Sequence, residues 1–111
     1  MPRGKRAGTQ RERAVRDLLR KDGWIAFRAP ASLGVADVVA LKTGSQPMMI
    51  EIKSTAQGPY EHFGPADREA LRAAAAQAGA LALLAHWPSR GVLRWIPESE
   101  WPVAARDAVT A

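Results

Sequence analysis

The 111-residue chain contains no cysteine. This absence excludes disulfide bonds and metal sites built from thiolates. Only two histidines, His62 and His86, are present, and their spacing does not form a pair of metal ligands. His86 lies in an apolar segment and is predicted to be structural. A bound metal would therefore rely on carboxylate oxygens, which are the ligands that Mg²⁺ prefers.

Long apolar runs are also missing. No segment approaches the roughly 20 apolar residues that are needed to cross a bilayer, and no apolar stretch of the kind found in secretory signals follows the basic N-terminus. A glycine-rich loop that could cradle phosphates is absent as well, so no nucleotide cofactor is expected. These features predict a soluble, cytoplasmic protein with no membrane partner.

Positive charge is concentrated at one end of the sequence. The net charge is +5; residues 1–28 contain nine Lys/Arg and three Asp/Glu, whereas the remaining 83 residues contain seven and eight. This asymmetry favours a polyanionic partner, with nucleic acid first and an anionic membrane second, over the alternative of a solvated basic tail. Residues 1–8 are predicted to form a flexible basic arm in which Lys5 and Arg6 contact DNA phosphates. Residues 9–111 are predicted to form a single domain.

The order of predicted elements is helix, three strands, helix, two strands. Thr9 and Glu12 form a capping box that would begin the first helix, and Gly23 would end it. Pro65 suits the start of a second helix that would end at Gly79. The strands are predicted at 24–28, 37–42, 48–53, 80–87 and 92–96. A helix between strands predicts an α/β fold with a mixed β-sheet flanked by helices.

The third predicted strand places charges among apolar residues. Because side chains alternate along a strand, Ile50 and Ile52 would point into the core while Glu51 and Lys53 point the other way. Charges at such a position are costly unless they have a function. Antiparallel pairing through the turn at 43–47 would bring Asp37 beside this end of the strand. A salt bridge between Glu51 and Lys53 on a solvated face is the alternative.

Two carboxylates with a lysine suit the hydrolysis of a phosphodiester bond. The carboxylates of Asp37 and Glu51 would bind a divalent ion, which polarises the phosphate and acidifies a bound water. Lys53 would orient that water or stabilise the charge that develops on the phosphate oxygens. Glu12 shares a helix face with apolar residues and therefore points partly inward, as a candidate third carboxylate of the site. Arg28, near the loop before Asp37, is a candidate phosphate contact.

Several segments together resemble a known nuclease family. Glu12 in the first helix is followed by Phe27-Arg28-Ala29-Pro30-Ala31-Ser32, by Ala36-Asp37-Val38-Val39-Ala40-Leu41, and by Ile50-Glu51-Ile52-Lys53-Ser54. These segments look like the archaeal Hjc-type Holliday junction resolvases of the PD-(D/E)XK nuclease superfamily. The resemblance continues through residues 91–97 and so covers most of the chain. In place of the superfamily's proline before the aspartate, this chain has Ala36.

The resemblance implies a restriction-endonuclease-like fold and a homodimer with two active sites that cuts opposed strands of a four-way DNA junction. It implies that Asp37 and Glu51 bind Mg²⁺, with Mn²⁺ able to substitute, and that Glu12 completes the metal site. Lys53 would assist catalysis. Three further positions match family residues that serve DNA contact or catalysis, namely Arg13, Arg28 and Ser32.

Alternatives to a junction-resolving endonuclease are another nuclease of the same superfamily, of the flap, repair or restriction type, and a non-catalytic DNA-binding module.

A homodimer also fits the composition. The second helix is rich in alanine, and Leu81, Leu83, Trp87 and Trp95 provide more apolar surface than so small a domain easily covers. Part of this surface is predicted to meet a second copy of the chain.

Overall fold

The computed structural model describes residues 3–29, 34–88 and 91–102, with the backbone alone for residues 3–7. Two helices and five strands follow one another in the order that the sequence predicts. The elements are α1 (Arg3–Lys21), β1 (Ile25–Arg28), β2 (Val38–Leu41), β3 (Met48–Lys53), α2 (Pro65–Ala78), β4 (Leu81–His86) and β5 (Arg94–Pro97), with a short 3-10 helix at Glu98–Glu100.

The five strands form one mixed sheet in the order β1-β2-β3-β4-β5. All neighbouring strands are antiparallel except β3 and β4, which run parallel. A parallel pair needs a long crossover connection, and α2 lies within that connection. The predicted α/β fold with a mixed sheet flanked by helices is therefore confirmed.

Each face of the sheet is covered by one helix. On one face, Val15 and Leu19 of α1 pack against Val38, Ile50 and other buried residues of the sheet. On the other face, a second buried cluster contains residues of α2, of β4 and of the flanking segments, including Phe63, Leu71, Leu84 and Trp101. The sheet is thus buried between two layers, and its strand ends provide the positions for polar side chains.

The first helix begins earlier than predicted. Helix α1 starts at Arg3 rather than at Thr9; the division into a flexible arm over residues 1–8 and a single domain over residues 9–111 stays a prediction, and residues 1–2 lie outside the described part of the chain. Thr9 lies inside the helix and cannot be its N-cap, so the predicted capping box is also wrong. The helix extends to Arg3 because Arg, Lys and Ala all have good helix propensity.

The second helix has the predicted ends. Pro65 occupies its first turn, where the missing N–H of proline is not needed. Gly79 adopts the left-handed conformation, with φ of 67°, and its N–H donates to Ala76 O while Ala80 N–H donates to Ala75 O. Among the described residues, neither helix combines the length and the apolar character that crossing a membrane requires.

Candidate active site

Asp37 is held at the start of β2 by both its backbone and its side chain. Its N–H donates to Ile50 O at 2.8 Å, and its carbonyl accepts the N–H of Ala29 at 2.8 Å. Its carboxylate Oδ2 accepts the N–H of Ile52 at 2.8 Å. These bonds fix the carboxylate against β3, which agrees with the pairing predicted from the turn at 43–47.

Glu51 and Lys53 lie on the face of β3 opposite to Ile50 and Ile52. The two isoleucines are buried in the cluster under α1, as predicted from the alternation of side chains. Lys53 Nζ lies 3.2 Å from Glu51 Oε2, and the two side chains are only 24% and 17% exposed. The alternative of a solvated salt bridge therefore does not describe this pair, because both charges are largely removed from water.

Burial makes the charges of both carboxylates unfavourable. Burial, together with the negative charge of Asp37 and against the opposing effect of Lys53, raises the pKa of Glu51 to about 7. Burial also raises the pKa of Asp37, against the lowering effect of its hydrogen bond from Ile52. Two carboxylates whose ionised forms are both disfavoured by burial favour a bound cation, because a cation would neutralise both.

Glu12 approaches this pair from α1. Its Oε1 accepts a charged hydrogen bond from Arg28 Nε at 3.0 Å. The charge of Glu12 raises the pKa of Asp37, while that of Arg28 lowers it. The structure thus brings Glu12 and Arg28 to the same end of the sheet as Asp37, Glu51 and Lys53.

A divalent cation fits the pair of Asp37 and Glu51 by its chemistry. Each carboxylate uses one oxygen in the contacts above, Oδ2 of Asp37 and Oε2 of Glu51, which leaves a second oxygen on each for a ligand. In the part of the chain that the structure describes, no group of three or more His, Asp or Glu residues is arranged to hold a metal. The role of Glu12 as a third metal ligand therefore stays a prediction.

The candidate DNA contacts are less closely gathered. Arg13 lies on the exposed side of α1. Lys5 and Arg6 belong to the first turns of the same helix, although their side chains are not among those described. Ser32 lies outside the described residues. Of the predicted DNA-binding residues with described side chains, only Arg28 contacts a residue of the acidic site, through its ion pair with Glu12.

Sequence reasoning missed a buried contact directly behind the site. Thr55, two residues after Lys53, is buried, and its hydroxyl donates to Gly58 O. His86 Nε2 lies 2.9 Å from Thr55 O and 3.2 Å from Thr55 Oγ1. His86 therefore has the structural place predicted for it, and together these residues fix the loop that leaves β3. The only signal in the sequence was a buried histidine in need of a partner, which does not identify a threonine 31 positions away.

Comparison with known proteins identifies the family. The sequence matches the family model of the archaeal Holliday junction resolvase (Hjc) over residues 3–101. The fold is similar to the solved structure of Archaeoglobus fulgidus Hjc, a Holliday junction resolvase from an archaeal hyperthermophile. That match has 30% sequence identity and a TM-score of 0.73, and it covers 84% of this chain and 74% of that chain. A comparison with curated proteins found no similar sequence. Because the family model spans most of the chain and the acidic site lies within that span, the chain belongs to the archaeal Hjc family of Holliday junction resolvases, which are nucleases that act on four-way DNA junctions.

Proposed function

We propose that this chain resolves four-way DNA junctions by Mg²⁺-dependent hydrolysis of phosphodiester bonds at Asp37, Glu51 and Lys53. One observation carries the proposal: two half-buried carboxylates, of which Glu51 has its pKa raised by the charge of Asp37, lie at the same strand ends as a lysine whose ammonium is 3.2 Å from Glu51. Such an arrangement is unfavourable for the free protein and favourable for one that binds a cation and a phosphate.

Asp37 and Glu51 would hold the divalent ion. When bound, Mg²⁺ would polarise the scissile phosphate and make a water molecule more acidic; Mn²⁺, which also prefers carboxylate oxygens, is expected to substitute. The hydrogen bond from Ile52 N–H to Asp37 keeps that carboxylate in one orientation. A fixed carboxylate needs less reorganisation when it takes up a ligand, which favours both binding and catalysis.

Lys53 is proposed to have two roles, one in the free protein and one with substrate bound. In the free protein its ammonium partly compensates the negative charge of Glu51, and so it makes the site less costly to keep ionised. With substrate bound, the same ammonium is within reach of the phosphate oxygens on which charge accumulates, and it can orient the attacking water. Glu12 and Arg28 support the site from the α1 face, where Glu12 would complete the acidic centre and Arg28 would meet a DNA phosphate.

The basic first helix would provide the approach to DNA. Helix α1 contains Lys5, Arg6 and Arg13 beside Glu12 of the site, and its charge would attract the phosphate backbone. These three residues, Arg28 and Ser32 are the proposed DNA contacts. Their replacement should weaken binding to all DNA in a salt-dependent way, because phosphate contacts carry little sequence information.

The chain is proposed to act as a homodimer. An apolar groove of about 440 Å³ lies beside α1 on the sheet, lined by Leu18, Leu19, Trp24, Met48, Leu83, Trp95 and one acidic residue, Asp22. Leu18 is 45% exposed and Trp95 40% exposed, so apolar side chains of this groove meet water in the single chain. A second copy would cover this groove and supply the second active site that symmetric cutting requires.

Analytical ultracentrifugation tests this part of the proposal. We expect the wild-type protein to sediment as a dimer at micromolar concentration, and Trp95→Glu to sediment as a monomer because it would bury an unpaired charge in the interface. A wild-type monomer at that concentration, or a dimer that Trp95→Glu leaves intact, would remove this surface as the interface.

Cleavage of an end-labelled immobile four-way junction tests the activity itself. The same assay contains a linear duplex with the sequences of the junction arms. Paired symmetric nicks in the junction, which require Mg²⁺ and leave the duplex intact, are the expected result. Equal cutting of both substrates would keep the nuclease activity and contradict the junction selectivity. Tight binding without cutting would instead indicate a DNA-binding module.

A further inference from the structure

Arg11 and Trp87 form a stacked pair at the catalytic end of the sheet. The guanidinium carbon of Arg11 lies over the indole of Trp87, 4.8 Å from the ring centroid. Trp87 follows β4 and packs against the apolar cluster under α1, so the core holds the ring in place. A ring that is fixed in this way also orients the guanidinium above it.

Two short connections link this pair to the acidic site. The N–H of Trp87 donates to the carbonyl of Lys53 at 2.8 Å. Arg11 directly precedes Glu12, the residue whose charge acts on Asp37. Strand order adds a third relation: Arg28 is on β1 and Trp87 follows β4, whereas Asp37 directly precedes β2 and Glu51 is on β3, between those two strands. The site therefore has an arginine on each side.

The two arginines differ in how their charge is balanced. Arg28 is paired with Glu12 at 3.0 Å. For Arg11, no carboxylate oxygen lies within 4.0 Å among the residues that the structure describes. A guanidinium that is half-buried, held on an aromatic ring and not neutralised by any acidic side chain of the described segments suits an anionic ligand, and its planar donors match the oxygens of a phosphate.

We propose that Arg11, oriented by Trp87, binds a backbone phosphate of the DNA strand next to the cleaved bond and aligns that strand with Asp37 and Glu51. This inference rests on the proposed function, since it assumes that the strand passes over the acidic pair. Arg11 is the contact residue. Trp87 is a positioning residue that acts through Arg11. Its ring faces the guanidinium, and its backbone N–H donates to the carbonyl of Lys53.

Binding of an immobile four-way junction, measured by fluorescence anisotropy in EDTA over a range of salt concentrations, tests the contact without cleavage. Arg11→Gln retains good helix propensity, and we expect it to raise the Kd about tenfold. A plot of the logarithm of the association constant against the logarithm of the salt concentration has a negative slope. This slope should become less steep by about 0.9 for each bound subunit, because one phosphate contact is lost. The matched control is Arg72→Gln, because Arg72 also stacks on a tryptophan, Trp101 at 5.4 Å, but is paired with Glu98 at 3.8 Å. That variant should keep the wild-type slope.

The role of Trp87 is tested both in the wild-type protein and in the Arg11→Gln variant. Trp87→Leu should weaken binding when Arg11 is present and add nothing to Arg11→Gln, whereas Trp87→Phe, which keeps a ring, should restore most of the affinity. Thermal unfolding of each variant identifies effects that come from loss of the fold.

Two results would overturn the inference. A wild-type salt slope in Arg11→Gln would mean that no phosphate contact was lost. Equal weakening by Trp87→Leu in both backgrounds would mean that the ring does not act through the arginine. Failure of the proposed function would appear separately, as an inability of the wild-type protein to cut the junction in Mg²⁺.

Discussion

Replacement of Glu51 by glutamine should stabilise the metal-free protein at pH 8. Burial and the charge of Asp37 place the pKa of Glu51 at about 7 rather than at its ordinary 4.5. At about 1.4 kcal/mol for each unit of pKa, ionisation of this group costs the folded state up to about 3 kcal/mol. Glu51→Gln removes this cost but leaves Lys53 without its partner, so we expect a net gain of about 1–2 kcal/mol. For a domain of this size, that gain corresponds to a rise in Tm of roughly 3–10 °C.

The sign of the pH dependence follows from the raised pKa. The folded protein holds the proton of Glu51 more tightly than the unfolded chain does, so this stabilising effect is fully present below pH 4.5 and is lost as the pH rises through about 7. The advantage of Glu51→Gln should therefore be largest at pH 8 and should disappear near pH 4.5. Mg²⁺ should reduce the difference at pH 8, because it stabilises the ionised wild-type site and not the variant.

Thermal unfolding monitored by circular dichroism, with EDTA and then with Mg²⁺, measures these differences. Glu69→Gln is a matched control, since Glu69 lies on α2 with its side chain 74% exposed; its Tm should stay close to that of the wild type at both pH values. A Glu51→Gln variant that is less stable than the wild type by the same amount at pH 8 and pH 4.5 would refute the view that the empty acidic site is a source of instability.

Three further predictions concern the site and its support. Asp37→Asn should lower the rate of junction cleavage in Mg²⁺ at least about a hundredfold while leaving junction binding in EDTA intact; an unchanged rate would exclude Asp37 as a metal ligand. Thr55→Val should cost about 1–3 kcal/mol in chemical denaturation because it removes the hydroxyl that bonds to Gly58, whereas Thr55→Ser should cost less; equal costs would show that the methyl group matters instead. Leu71→Ala should cost about 2–5 kcal/mol because Leu71 is fully buried under the sheet, and a cost below 1 kcal/mol would contradict tight packing there.

The centre of the site could be predicted because local rules determine it. Alternation along β3 puts Glu51 and Lys53 on one face, and a short turn fixes the antiparallel register that brings Asp37 beside them. Element order was predictable for the same reason, since glycine and proline residues such as Pro65 and Gly79 mark the ends of α2.

The contacts around the site could not be predicted, because they join residues that are far apart in the sequence. The ion pair of Arg28 with Glu12 spans 16 positions, and the contact between Thr55 and His86 spans 31. Arg28 and Glu12 were both candidates. However, the periodicity within one element does not indicate which side chain of another element a given residue contacts. The early start of α1 differs from the sequence-based expectation for another reason, namely that Thr9 and Glu12 match a capping-box pattern although they lie inside the helix.

The parallel pairing of β3 with β4 also has a consequence for the order of folding. Helix α1 and strands β1 to β3 are joined by short connections, and this part of the chain contains every acidic residue of the site, from Glu12 to Glu51. Contacts that are local in sequence form early. By contrast, β4 joins β3 only after the chain has passed through the loop at 54–64 and α2. A nascent chain would therefore contain the whole acidic centre before β4 and α2 had removed it from water, and the part of the rise in the pKa of Glu51 that comes from burial would develop only in the last stage of assembly.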